Sequence, residues 1–422
     1  MKLNEFLRVL MSQSASRNPW FMLIMVYITQ YIGISFLFTG GIVIFRTLGV
    51  PLEQLSLVFW VMLPIALRLI FSLFVDKVST FLQGHYRGWL LIAQMMMTTL
   101  LVVISFIDPL HRFYWMLGLF FVYAIFTGIQ DVSVDGLVCK IFPTQKRQQA
   151  NALQYAGSFI GNAVGGGVVL MFYQTLGWQG SLLFLASLTM ISVCQITFYR
   201  EPAEAVTPLS KEWVSLSLWA EFKSFIKRHV KWLLFLLVAA FGISFLGALL
   251  NPLLVDSGWS PEEIGLMTKV YGSVIGVLSA LLAIPLMRYL GSGKAFALLS
   301  LLMALSLTLY LPITQSQVAK WYVYLAVSIS TLVQPALMAS LSTIIMNKAA
   351  VTSSKATFVS LQLSLATVTG MVYSSLSLKL AHNVGYYAVM IIAVVVSFAL
   401  VVLLLILIKW SKRTGHELLA EN

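Results

Sequence analysis

Residues 130–167 read QDVSVDGLVCKIFPTQKRQQANALQYAGSFIGNAVGGG. Asp131 and Asp135 stand four residues apart near the end of an apolar run. A basic loop follows at 140–147, then a second apolar run carrying Asn151, Gln154 and glycines at 157, 161 and 165. Carboxylates at that spacing share one face of a helix. Each costs about 2.5–3.5 kcal/mol at the centre of a bilayer on insertion scales, so a polar cavity, an ion pair or a proton path must offset them. The pattern points to a transporter.

The composition agrees. Of 422 residues, 59% are apolar and 10% charged, against about 25% charged in a soluble domain. Apolar runs of bilayer length, about 17–25 residues each, recur at 20–46, 54–76, 88–107, 113–139, 148–173, 178–199, 231–255, 262–287, 293–312, 319–347, 355–380 and 385–409. The expected fold class is an all-α polytopic membrane protein, with twelve transmembrane helices in two pseudo-symmetric six-helix bundles. The bundles fall at 1–199 and 231–410, joined by a cytoplasmic linker at 200–230 and followed by a tail at 411–422. With both termini cytoplasmic, all but six of the 27 Lys and Arg lie in inner segments; Arg46, Arg112, Lys320 and Lys379 lie outside, and Arg68 and Lys269 within spans. That bias follows the positive-inside rule and leaves little room for the inverted topology. It also accounts for the net charge of +12 without a nucleic-acid partner.

Cys139 and Cys194 fall at inner span ends without disulfide context or metal-ligand spacing, and are expected to pack. Residues 1–20 lack the features of a cleaved signal, so the first span should remain in the mature chain. In the linker, Trp213, Leu216, Phe222, Phe225 and Ile226 alternate with Lys211, Glu212, Glu221, Lys223, Lys227 and Arg228, which fits a helix on the membrane surface or a loose tether. A shift of 208 residues superposes Lys140 on Lys348, Arg147 on Lys355, Leu153 on Leu361 and Gln154 on Gln362. Tandem halves of this kind mark secondary transporters, which bind cargo near the bilayer midplane.

Arg68 lies eight residues before Asp76, and Asp131 eight before Cys139; both are therefore about 12 Å deep. An ion pair between spans 2 and 4 is predicted. It serves either as a charge cluster that binds an anion and exchanges a proton, with Asp131 and Asp135 as coupling groups, or as a static tie. Asp135 is expected either to meet Lys140, Lys146 or Arg147 as an inner gate or to stand as a partly solvated charge at the helix end. Lys269 is placed either to contact an anionic ligand or to snorkel towards the interface. Asn151, Tyr155, Ser158 and Asn162 form a polar stripe on span 5, beside a glycine seam at 157, 161 and 165 that lets backbones approach. Tyr27, Gln30 and Tyr31 on span 1, with Asn251, Tyr271, Gln334 and Gln362 in the second half, are candidates for substrate contact or for hydrogen bonds between helices.

Other chemistries lack their residues. The run GSGK at 291–294 has Arg288 and Ala295 where a phosphate loop needs Gly and Ser or Thr. No zinc motif and no nucleophile-base spacing is present, so no enzyme activity, metal or cofactor is expected.

Asp76 and Lys77 ending span 2, with residues 84–87 opening span 3, resemble the loop signature of the major facilitator superfamily, although Ser72 replaces its leading glycine. The resemblance implies gating roles for Asp76 and Arg87. TGIQDVSVD at 127–135 resembles the span 4 signature of the branch holding the anhydromuropeptide permease, the acetyl-CoA transporter and siderophore permeases. Arg68 and the Lys269 of MTKVYG match basic residues of that branch. The run NALQYAGSFIGNAVGGG, with Leu176, Gly177 and Trp178, is most similar to siderophore permeases of the rhizobactin and pyochelin type. The chain ends at Asn422 without the extra spans of many muropeptide permeases. Together these imply a monomeric, proton-coupled importer of an iron chelate that works by alternating access. The alternatives are a muropeptide permease, an exporter of siderophores or drugs, and a non-transporting receptor.

Overall fold

The structure, a computed structural model, describes residues 19–78, 80, 82, 84–142, 153, 154, 156–201, 216–315, 318–350 and 355–414, and every regular element among them is helical. Eight of the described helices are long and apolar enough to cross a membrane, and two shorter apolar helices lie at Leu52–Ala66 and Ala156–Met171. The helix Lys355–Thr414 holds spans 11 and 12, turning at Gly385 (φ 79°, ψ 165°), where only glycine escapes a Cβ clash. Gly272–Leu290 carries the inner part of span 8. The twelve expected spans are thereby accounted for.

Span 2 departs from the uninterrupted helix expected. It runs as Leu52–Ser56, a 3₁₀ stretch Leu57–Met62, a short turn Leu63–Ala66 and the helix Arg68–Lys77. Pro64 supplies no N–H to the carbonyl four residues back, which breaks the ladder there. Three further irregularities are π-helical turns: Phe36–Gly41 in span 1, Ala163–Val168 in span 5 and Leu266–Tyr271 in span 8.

The described chain forms two compact units, one of residues 1–50, 61–205 and 260–270, the other of 51–60, 206–259 and 271–422. In the first, the predicted glycine seam is present. A Cβ built on Gly157 would lie 2.6 Å from Tyr27 Cβ, and one on Gly161 2.6 Å from the Ile28 carbonyl oxygen. Spans 1 and 5 thus touch backbone to backbone, and any side chain would force them apart. The start of span 8 joins this unit in the same way: a Cβ on Gly265 would lie 2.7 Å from Leu170 Cβ and 2.9 Å from the Gly167 carbonyl oxygen. Ser260 caps that helix in a reciprocal box with Glu263, each bond 3.3 Å. Phe36, Phe45 and Trp178 cluster at the other end of the seam, with centroids 5.5–5.7 Å apart.

In the second unit, Trp232 Nε1 donates to Gln362 Oε1 at 2.7 Å, and Phe225 packs against Phe358 in a tilted pair with ring centroids 4.4 Å apart. The helix entering span 7 begins at Leu216 and bends at His229; residues 202–215 of the linker lie outside the described ones. Lys348 at the end of span 10 lies over the Trp232 ring at 5.4 Å. Large apolar side chains such as Trp115, Phe198 and Trp321 are mostly exposed, as a surface facing lipid tails requires. Cys194 is also exposed, contrary to the packing role expected, because that face of span 6 turns outward. The Cys139 side chain lies outside the described ones.

Between spans 3 and 4, Asp108 accepts hydrogen bonds from the backbone N–H groups of Leu110 (2.8 Å) and His111 (3.1 Å) and pairs with His111 Nδ1 at 2.8 Å. The His111 ring, its backbone N–H and that of Leu110 together hold the Asp108 carboxyl down at about 2.

Candidate functional site

The predicted cross-span pair forms, in the first unit. Arg68 opens the inner segment of span 2 directly after the break at Leu67, so its guanidinium leaves the helix at mid-depth. It reaches Asp131 Oδ2 at 3.2 Å through Nη1 and Asp135 Oδ2 at 2.9 Å through Nη2. Asp131 and Asp135, four residues apart on one straight helix (Phe113–Ile141), present both carboxylates to the same cation. One of the loop cations expected for Asp135 is engaged elsewhere. Lys140 is 2.6 Å from Glu201 instead, and Lys146 and Arg147 lie outside the described residues.

Gln30 completes the group. Its Nε2 donates to Asp131 Oδ1 at 2.7 Å, and two further buried amides bond the same stretch of span 1. Gln94 Nε2 donates to Thr29 Oγ1 at 2.7 Å, and Gln130 Nε2 to the Val26 carbonyl at 2.8 Å. The carboxamide oxygens of Gln30, Gln94 and Gln130 have no hydrogen-bond partner among the described residues. Sequence reading missed Gln94 and Gln130. A glutamine in the middle of an apolar span was the available signal.

Lys269 sits in the π-helical turn of span 8, its stem against the span 5 glycines. A Cβ on Gly166 would come within 3.1 Å of Lys269 Cγ, and one on Gly167 within 3.1 Å of its Cβ. It makes no ion pair or hydrogen bond among the described residues. Ser35 donates to the Asn162 carbonyl at 3.1 Å, and Asn162 Nδ2 to the Ser158 carbonyl at 2.8 Å. Lys269 thus stands on one π-helical turn with its stem packed on another, Ala163–Val168, and such turns recur at functional sites.

The remaining candidates scatter. Tyr27 is buried in the apolar core formed with Leu90, Leu137 and Ile196, and Tyr31 is half-buried against Gly161. Gln334 is exposed. Gln362 is fully buried and donates to the carbonyls of Phe358 (2.9 Å) and Ile345 (3.4 Å), so all its polar atoms tie spans 7, 10 and 11 together. Asn151, Tyr155 and the Asp76 side chain lie outside the described residues. Arg87 is engaged inside the first unit: Nε and Nη2 donate to the carbonyls of Ile196 (3.0 Å) and Thr197 (2.7 Å), while its own N–H donates to Glu201 Oε2 at 2.8 Å. A cation thus closes the C-terminus of span 6 and a carboxylate the N-terminus of span 3, over Gly84 at φ 85°.

A family model described as the Major Facilitator Superfamily matches residues 20–360. The chain belongs to the Major Facilitator Superfamily. Its fold is that of solved transporters: a POT family transporter bound to a thioalcohol-conjugated peptide (TM-score 0.73, 15% identity, 92% of this chain and 95% of that one) and a bacterial homolog of the human lysosomal transporter Spinster (0.69, 14%, 93% and 97%). Among relatives, the anhydromuropeptide permease of Escherichia coli K12 is 26% identical over 243 residues, 57% of this chain and 49% of that protein. Putative transporter AmpG 4 of Rickettsia conorii is 25% identical over 288 residues, 63% and 68%. The chain spans about half the length of the anhydromuropeptide permease it matches. This chain is a multi-pass membrane protein of that superfamily. The finer likeness to siderophore permeases finds no support in these relatives.

Proposed function

We propose that the chain is an inner-membrane permease for an anionic peptidoglycan fragment of the muropeptide class, driven by protons through alternating access, with both termini cytoplasmic. The observation that carries the proposal is the Arg68–Asp131–Asp135 triad with Gln30, built across spans 1, 2 and 4 of one unit. Two carboxylates on one guanidinium leave one excess negative charge inside the membrane, and the least costly relief is to bind one proton. Lys269, held in the same unit without a charged partner among the described residues, supplies a cation for a cargo carboxylate. The relatives named for muropeptides favour that cargo over the chelate implied by the sequence motifs.

Proteoliposomes carrying an imposed proton gradient test this. Labelled anhydromuropeptide should accumulate, labelled ferric siderophore should not, and Asp131→Asn and Asp135→Asn should each abolish accumulation while the proteins elute as folded monomers. Accumulation of the chelate in place of the muropeptide would restore the iron-uptake reading. Gradient-driven uptake that survives both substitutions would remove the triad from coupling.

A further inference from the structure

We infer that Gln30 sorts the two carboxylates of the triad, fixing Asp131 as the standing counter-ion of Arg68 and leaving Asp135 as the carboxyl that takes up and releases the proton. This rests on reading the triad as the coupling group and says which member does the work.

Among the described residues, Asp131 is met on both oxygens, by Gln30 Nε2 at 2.7 Å and by Arg68 Nη1 at 3.2 Å, whereas Asp135 is met on one, by Arg68 Nη2 at 2.9 Å. A donor serves the ionised carboxylate and opposes its protonation. Turning the Gln30 carboxamide over would set its oxygen against a carboxylate oxygen, two acceptors face to face, so the amide nitrogen must point at Asp131 while that group is charged.

Rotation is also resisted by the surroundings. Gln30 is 5% exposed, on the turn of span 1 that carries the Gln94–Thr29 and Gln130–Val26 bonds and backs onto the glycines of span 5. Access points the same way: the Asp135 side chain is 40% exposed and that of Asp131 12%, so a proton reaches Asp135 more directly. Among the described residues, the other titratable groups about the pair are Arg68 from span 2, Tyr31 from span 1, within electrostatic reach of Arg68, and Tyr86 from span 3, packed on Gly136 beyond Asp135.

The test is carbodiimide labelling of the purified, full-length protein as a function of pH, with peptide mass spectrometry to locate the adduct. Dicyclohexylcarbodiimide adds only to a protonated carboxyl: the acid proton passes to a reagent nitrogen, the carboxyl oxygen bonds its central carbon, and acyl migration leaves a stable N-acylurea. Midpoints are compared within each site, so differences in access between sites drop out. Labelling of Asp135 should persist about one pH unit or more above the range in which Asp131 labels. In Gln30→Met, which keeps the side-chain length, the Asp131 midpoint should move up by about one to two pH units, the scale of one hydrogen bond to a charged group.

Asp131 labelling at the higher pH in the native chain would overturn the assignment, as would an Asp131 midpoint unmoved in Gln30→Met. Should the variant fail to fold, the order of the two native midpoints still decides. The outcome is separable from the transport reading, because uptake that survives Asp131→Asn and Asp135→Asn would sink coupling whatever the midpoints show.

Discussion

Gly161→Ala puts one methyl group where spans 1 and 5 touch. The new Cβ would lie 2.6 Å from the Ile28 carbonyl oxygen and 2.8 Å from Tyr31 Cβ, against 3.4 Å for ordinary contact. A backbone carbonyl cannot rotate away, so the helices must part by about 0.8 Å locally. A gap of that size forfeits a quarter to a half of each van der Waals well it opens, here along the neighbouring contacts at Gly157 and Gly165 as well. Overpacking of this kind costs about 1–3 kcal/mol, and the alanine returns at most about 1 kcal/mol of helix propensity.

The net expectation for Gly161→Ala is a loss of about 1–2 kcal/mol, or roughly 1–2 °C in Tm for a chain of this length. The assay is thermal unfolding of the detergent-solubilised protein followed by size-exclusion fluorescence. Gly118→Ala and Gly247→Ala serve as controls, since a Cβ at either meets nothing within 4 Å; both should match or slightly exceed the native Tm. Equal stability of Gly161→Ala and Gly118→Ala would refute the seam as a backbone contact. The same change also displaces the span 1 turn that presents Gln30, so proton-driven uptake should fall further than the Tm shift alone explains.

Glu201→Gln should lower stability by about 2–3 kcal/mol, because the buried carboxylate that closes the start of span 3 also neutralises Lys140 at 2.6 Å; calorimetry showing no change would make the clasp incidental. Trp232→Phe strands the Gln362 oxygen it now donates to at 2.7 Å and should cost about 1–3 kcal/mol, readable as a lower denaturation midpoint. His111→Ala should return the Asp108 carboxyl from about 2 towards its ordinary range. A lowered carboxyl contributes stability that is complete above the ordinary carboxylate range and is lost as pH falls towards 2, so the variant should flatten the acid limb of Tm against pH.

Several features were legible in the chain because the bilayer leaves few choices. Hydrocarbon satisfies no backbone groups, so long apolar runs had to be helices, and an Arg and an Asp at equal depth on spans 2 and 4 had to find each other. The glycine periodicity on span 5 likewise announced a close approach before any partner was known. The break at Pro64 was visible as a residue, but not its effect, the release of Arg68 from a regular helix.

What sequence spacing could not supply was competition. Asp135 had Lys140 near it along the chain, yet Arg68, sixty-seven residues away, takes it, and Lys140 goes to Glu201. Gln30 and Gln362 look alike as lone amides in apolar runs; only the packed structure sets one against a carboxylate and commits the other to Trp232 and two carbonyls. Composition and periodicity determined which segments cross the membrane, since burial of the backbone depends on local chain alone. Which polar atoms pair inside was decided by tertiary structure, because a hydrogen bond or ion pair goes to whichever partner folding brings within about 3 Å.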